Sequence, residues 1–397
     1  MSRPSHDSDA RSRRSNERRR DENRGHSIEA PLHQQIVWGK QITQRNVTPE
    51  TILELVARNV HHLSTRNLAT AAHRLGKIGD RRLRQDPRLE RLIVMCGQRI
   101  SDFDPRGIAN IAWGSAKTGI TDPRFFKAVA AEATRRIGEF NAQAMANTVW
   151  AFATASVTAD ALFKAVAAEV PRRIDEFNAQ DMAITVWAFA CVGWDQHQIF
   201  IELGSSIAVH LNDFNEAQQS QLYLVALYTR VQWPDRDCPL SIALRNLQSA
   251  YTRLESRPSQ FQQEVSTMME QMGWVHTFEH ETNEGFSLDL AQPESKLAVE
   301  VDGPSHYLKD LSRGENVVNG ATRFKTRLLR SFGWAVAHIS FLDWNHKSES
   351  ERRQFVAFKL GELGIPVEDN ELASTTTQQL RSRDLETGSS LRSEIKK

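Results

Sequence analysis

The sequence predicts an α + α/β protein: an N-terminal α-solenoid of helical hairpins over residues 48–233, then a C-terminal α/β domain over residues 258–365. Two observations carry the first half. Trp113, Trp150 and Trp187 recur every 37 residues, and Phe103, Phe140, Phe177 and Phe214 keep the same interval. Self-similarity at a fixed period of this length is the signature of stacked repeats. The third observation carries the second half: apolar and polar residues alternate across Phe286–Leu290 and Leu297–Val301, with a basic amphipathic helix and a further strand, Ala335–Ile339, downstream.

Residues 1–30 are rich in Arg, Ser, Asp and Glu, as in RSRRSNERRRDENRGHS. Such a segment buries too little apolar surface to offset the entropy of ordering, so it reads as a solvated tail. Its acids, Asp7, Asp9, Glu17, Asp21 and Glu22, argue against a transit peptide. Residues 369–397 have the same polar character, and residues 234–257 read as a connector with a helix in its middle.

The composition excludes several classes. Fifty basic and 49 acidic residues leave a net charge of +1, so a nucleic-acid surface must be a local patch rather than bulk charge. No apolar run is long enough for a membrane span, and no membrane partner is expected. Cys96, Cys191 and Cys238 are far apart and form no C-x-x-C pair, which argues against zinc ribbons and disulfide scaffolds. Gly-rich phosphate loops, H-R-D and D-F-G are absent, so a kinase is not supported.

Within one repeat, FNAQAMANTVWAFATASV forms a first helix and ALFKAVAAEVPRRIDEF a second. One hairpin cannot cover its own apolar stripe, so the units stack and the recurrent Trp and Phe read as core. His73, 40 residues before Trp113, and Leu224 take the Trp position in diverged end units. Pro171 should kink or restart its helix. Two nearly identical repeats differ at Ala144 and Asn147 against Asp181 and Ile184; the equivalent positions are Gly107 with Asn110 and Gln218 with Gln221. Each pair is three residues apart on one helical face, where a modular reader would place base-contacting side chains; drift at exposed sites explains the variation equally. Arg135, Arg136, Arg172 and Arg173 recur on the second helices, either tracking phosphates or pairing with Glu132, Glu139, Glu169 and Glu176.

In the C-terminal domain Glu300 and Asp302 are two apart on one strand and share a face, and the neighbouring hairpin strand can bring Asp289 beside them. Downstream, His306, Lys309, Arg313, Arg323, Lys325, Arg327 and Arg330 form the densest basic cluster; Arg323, Arg327 and Arg330 follow helical spacing and read as a phosphate-binding face. Tyr307, Trp334 and Trp344 could stack bases, but a Trp entering a strand is more often core. His276 and His280 flank Glu279 without the order of a zinc motif and read as surface residues.

The motifs VEVDGPSHY, TRFKTRLL and GWAVAHISFLDW, in this order, resemble the RAP domain, and the order helix, three strands, helix, strand, helix resembles restriction-endonuclease-like domains. The array resembles octotricopeptide repeats, and the whole resembles the FAST-kinase-domain family. These resemblances imply an RNA-binding factor of the mitochondrial matrix or chloroplast, acting in RNA processing, transcript stability or rRNA maturation. Its partners would be single-stranded mRNA or rRNA and ribonucleoprotein components. Nucleases of the endonuclease fold hold Mg²⁺ with an Asp and the Glu of E-x-K; the matching residues here are Asp289, Glu300 and Asp302, with His306 as acid/base group. The third position is Asp302 rather than Lys, and only Lys296 or Lys325, from another element, could replace that ammonium. A binding module with an unused site, needing no cofactor, a Mg²⁺-dependent endoribonuclease and a protein-interaction scaffold all stay open.

Overall fold

The computed structural model describes residues 29–252 and 258–366; the two predicted tails fall almost wholly outside them. Its first part is a double row of helices. The inner row is α1 (Leu32–Thr43), α3 (Thr65–Ile78), α5 (Pro105–Thr118), α7 (Ala142–Ala155), α9 (Ala179–Val192), α11 (Glu216–Gln232) and α13 (Leu244–Thr252). The outer row is α2 (Pro49–Asn59), α4 (Pro87–Gln98), α6 (Pro123–Arg135), α8 (Asp160–Glu169), α10 (Gln198–Val209) and the short α12 (Pro239–Ile242). The stack is therefore longer than the repeat alone indicates. Helix α1 precedes residue 48, and α12 and α13 continue both rows through the stretch read as a connector.

Local chemistry fixes where five of the seven inner helices start. Ser64, Asp104, Asn141, Asn178 and Asn215 each accept the N–H three residues on, so α3, α5, α7, α9 and α11 open on a side-chain cap. The residue before the cap in four units is Phe103, Phe140, Phe177 or Phe214, and all four are buried. A second recurrent device joins units: Arg136 Nη1 donates to Phe103 O at 2.9 Å and Arg173 Nη1 to Phe140 O at 2.7 Å, while Arg99 reaches Leu63 O at 3.1 Å. Each arginine also meets an acid, as in Arg136–Glu139 at 2.7 Å and Arg173–Glu176 at 2.6 Å. Arg135 and Arg172 pair with Glu132 and Glu169. The guanidinium ladder is thus a salt-bridged staple between hairpins. Pro171 ends α8, and a 3₁₀ turn restarts there.

The second part is built on a four-stranded sheet of order β2-β3-β4-β7: β2 (Thr277–Glu281), β3 (Ser287–Gln292), β4 (Leu297–Asp302) and β7 (Ala335–Ser340). Strands β3 and β4 are antiparallel, β4 and β7 parallel. One face carries Val299, Val301, Ala337 and Ile339 against α14 (Gln260–Gln271) and α17 (Glu349–Glu362), with Trp344 of the short α16 (Phe341–Trp344) in the same cluster. The other face, with Ala298 and Val336, is covered by α15 (Gly320–Ser331), whose Phe324, Leu328 and Leu329 belong to one continuous core with the helical array.

A hairpin absent from the sequence reading, β5 (Tyr307–Asp310) and β6 (Glu315–Val318), forms a second sheet whose third strand, β1 (Ile120–Thr121), comes from the array. Lys309 N donates to Gly119 O at 2.8 Å and Leu311 N to Thr121 O at 2.9 Å. Docking is close elsewhere too. A Cβ on Gly320 would lie 1.7 Å from Ala153 O, so only glycine lets α15 meet α7 here. The two units share a sheet and a core.

Candidate nucleic-acid interface

The sheet face beneath α15 holds the acidic residues, but in two separate settings. Asp289 stands where β3 and β4 part: its Oδ2 accepts Val301 N–H at 2.6 Å and its Oδ1 accepts Gln262 Nε2 at 2.6 Å. Burial, and then the Glu300 charge, push its carboxyl up to about 7, against the Val301 N–H, Lys325 and Gln262. Beside it Glu300, buried, accepts Lys325 Nζ at 2.6 Å, and the same ammonium donates to Ser287 O at 2.8 Å. Burial alone would lower the Lys325 pKa, but Glu300 and then Asp289 outweigh it and hold the ammonium charged. Helix α15 thus supplies the lysine that the strand motif lacks.

Asp302 is caged differently. Its Oδ2 takes His338 Nδ1 at 2.8 Å and Tyr307 Oη at 3.3 Å, and His306 Nδ1 lies 3.2 Å from its Oδ1. His338 reaches on through Nε2 to Thr326 at 3.0 Å, while His306 meets Thr322, one turn earlier on α15, through the same Nδ1 at 2.9 Å. Burial holds the His306 pKa below its usual value despite the Asp302 charge, so the ring is neutral at neutral pH.

Asp289, Glu300 and Asp302, the expected Mg²⁺ set, stand in two separate settings in this structure. Both oxygens of Asp289, Asp302 Oδ2 and Glu300 Oε2 already meet protein hydrogen-bond partners, and Asp302 Oδ1 lies 3.2 Å from His306 Nδ1; Glu300 Oε1 is buried without a partner. Among the described residues no group of three or more His, Cys, Asp or Glu is placed to hold a metal ion. With these partners in place the donor set does not fit the cation.

The basic cluster divides as well. Lys325 belongs to Glu300, Lys309 pairs with Glu90 of the array, and Arg327 Nη2 donates to the Ala190 and Cys191 carbonyls at the end of α9. These three hold the protein together and are not free for phosphate. Arg313, Arg323 and Arg330 are exposed and carry no ion pair among the described residues. Arg323, Arg327, Arg330, Thr326 and His338 line a groove of about 780 Å³. Tyr307, Trp334 and Trp344 are buried in the domain, as core residues. His276 bonds Ser266 at 2.8 Å, and His280 packs against Trp334.

The varying repeat positions split by depth. Gly107, Ala144 and Asp181 are buried at the third helical position, where their N–H groups satisfy the cap, and Gln218 is spent in a capping box. Gly107 still lines a groove of the array, whereas Asp181 is 4% exposed and Gln218 is half-buried with its amide oxygen on the Asn215 N–H. Their partners Asn110, Asn147, Ile184 and Gln221 are half-buried at the inner face, and Asn110 borders a groove of about 550 Å³ with Arg66 and Arg106. The sequence reading missed His338, Thr322, Thr326 and Gln262. No spacing rule joins residues that meet only when β7, α14 and α15 pack on β4.

Residues 299–358 match the family model of the RAP domain. Residues 57–221, most of the helical array, match that of RNA-editing substrate-binding complex 6 protein. A RAP domain-containing protein, chloroplastic, from Oryza sativa subsp. japonica is 30% identical over 147 residues, which are 36% of this chain and 22% of that relative.

Proposed function

We propose that this chain, which carries a RAP domain at its C-terminal end behind a helical array, is an RNA-binding factor of an organelle. The array holds a single-stranded segment on its inner row, and the α/β domain adds phosphate contacts from α15. The observation that carries this reading is the groove along α15: Arg323 and Arg330 point guanidinium groups to solvent without an acid partner among the described residues, beside Arg327 and His338. A free, forked cation suits a phosphodiester, and affinity built on it falls as salt rises. The array's match to an RNA-editing substrate-binding family and the chloroplastic relative support an organellar RNA, with a role in processing, stability or rRNA maturation in a ribonucleoprotein setting. Mitochondrion and chloroplast are both consistent with it.

The test is retention of single-stranded RNA by the full chain across a salt series, with Arg323→Ala/Arg330→Ala as comparison. The double variant should melt like the parent, bind more weakly, and reduce the slope of log Kd against log salt by about 1 to 2, one for each phosphate contact removed. No salt-dependent retention by the parent chain would leave the reading without support.

A further inference from the structure

We infer that His73, Trp113 and Trp150 form a stacking track for the bases of single-stranded RNA, laid along the inner row and leading into the cleft between array and α/β domain. The inference rests on the RNA-binding reading and adds to it the surface that takes the bases.

Packing keeps these rings at the surface. Helices α3 and α5 approach so closely that a Cβ on Gly114 would lie 2.5 Å from Ala72 O, leaving no room between them for an indole. Trp113 lies instead across α3, its Cζ3 3.0 Å from where a Cβ on Gly76 would stand. The His73 ring centre is 5.0 Å from that of Trp113, and Trp113 is 6.1 Å from Trp150, with neighbouring planes tilted by 37° and 33°. All three are half-buried, whereas the equivalent Trp187, on the helix that α15 packs against, is 5% exposed. Trp113 and Trp150 thus keep part of each indole at the surface, Trp150 packing against the core while it lines the cleft toward the α/β domain.

The surroundings fit RNA. Lys77 and Lys117 follow His73 and Trp113 by four residues, both exposed and with no ion pair among the described residues; Lys117 Nζ lies 5.8 Å from the Trp150 ring centre. Asn110 and Asn147 precede the two tryptophans by three residues, one turn back on the same face, where an amide can meet a base edge. Burial, with Lys77, Arg106 and Arg74 nearby, lowers the His73 pKa, so it joins the stack as a neutral ring. Beyond Trp150 the track opens into a cavity of about 440 Å³ bounded by Lys117, Arg84, Ser305 and Asn319. Successive aromatic faces flanked by cations are how unpaired strands are held without strict sequence demand, whereas a duplex has no free base faces to offer.

The experiment uses the full chain and three fluorescent probes: a short oligoadenylate, an oligouridylate and an RNA duplex. Oligoadenylate, with the larger bases, should bind tighter than oligouridylate and quench intrinsic tryptophan emission. Trp113→Leu/Trp150→Leu should weaken oligoadenylate binding by roughly tenfold per ring, with the salt slope unchanged. Trp113→Phe/Trp150→Phe should restore most of the affinity while abolishing the quenching. Should the Leu variant fail to fold, the Phe variant decides: quenching undiminished without these indoles overturns the track. Unchanged affinity in a folded Leu variant, while Arg323→Ala/Arg330→Ala weakens it, overturns the track and leaves the RNA-binding reading standing. A parent chain that binds neither oligonucleotide at low salt overturns both, and equal affinity for the duplex overturns the stacking argument.

Discussion

Replacing Gly320 by alanine should separate the two units more than any exposed substitution. The new Cβ would sit 1.7 Å from Ala153 O, 2.8 Å from Ala153 C and 3.1 Å from Cys191 Sγ. Ordinary contact begins near 3.4 Å, so α15 must retreat by at least 1.7 Å, the difference between 3.4 and 1.7. The obstacle is backbone on both sides, which no rotamer change relieves. Overpacking of this kind costs about 1–3 kcal/mol, and the upper end applies because the shift also strains Arg327 on the Ala190 and Cys191 carbonyls. About 3 kcal/mol corresponds to a loss of roughly 5 °C or more in Tm. Calorimetry should show this drop, and proteolysis should cut between array and α/β domain in the variant first. A Gly320→Ala protein that melts with the parent and resists protease equally would refute the close approach of α15 to α7.

Three further outcomes follow from the site. Lys325→Ala leaves Glu300 buried without its cation and should cost about 3–5 kcal/mol in urea unfolding, whereas Lys325→Met with Glu300→Gln recovers much of that loss. The raised Asp289 carboxyl means the fold holds this proton more tightly than the unfolded chain. Its stabilising contribution is therefore complete below about pH 4 and is lost as pH rises to about 7, at up to about 1.4 kcal/mol per unit; Asp289→Asn should remove that part of the slope in melts across this range. Cys96 and Cys191 are buried, with thiols pushed up to about 12, so a thiol reagent should leave both unlabelled in the native protein and label them on unfolding.

Much of the molecule is legible along the chain because its information is local. The 37-residue interval, the caps before each inner helix and the alternation over β3, β4 and β7 each involve neighbours in sequence, and the helix and strand periods convert them directly into faces. What sequence could not settle is which face meets which partner. Helical spacing puts Arg323, Arg327 and Arg330 on one stripe, yet Arg327 turns to a carbonyl 137 residues away while its neighbours stay in water. The same spacing rules make Trp113, Trp150 and Trp187 equivalent; only the packed structure buries Trp187 and leaves Trp113 and Trp150 half-buried at the inner face. Asp289, Glu300 and Asp302 lie on adjoining strands, as the alternation indicates, but their oxygens meet Gln262, Lys325 and His338, which arrive from other elements. A residue's period is set by the backbone it belongs to, whereas its partner is set by burial and long-range packing, and these exist only once the array and the α/β domain have closed on each other.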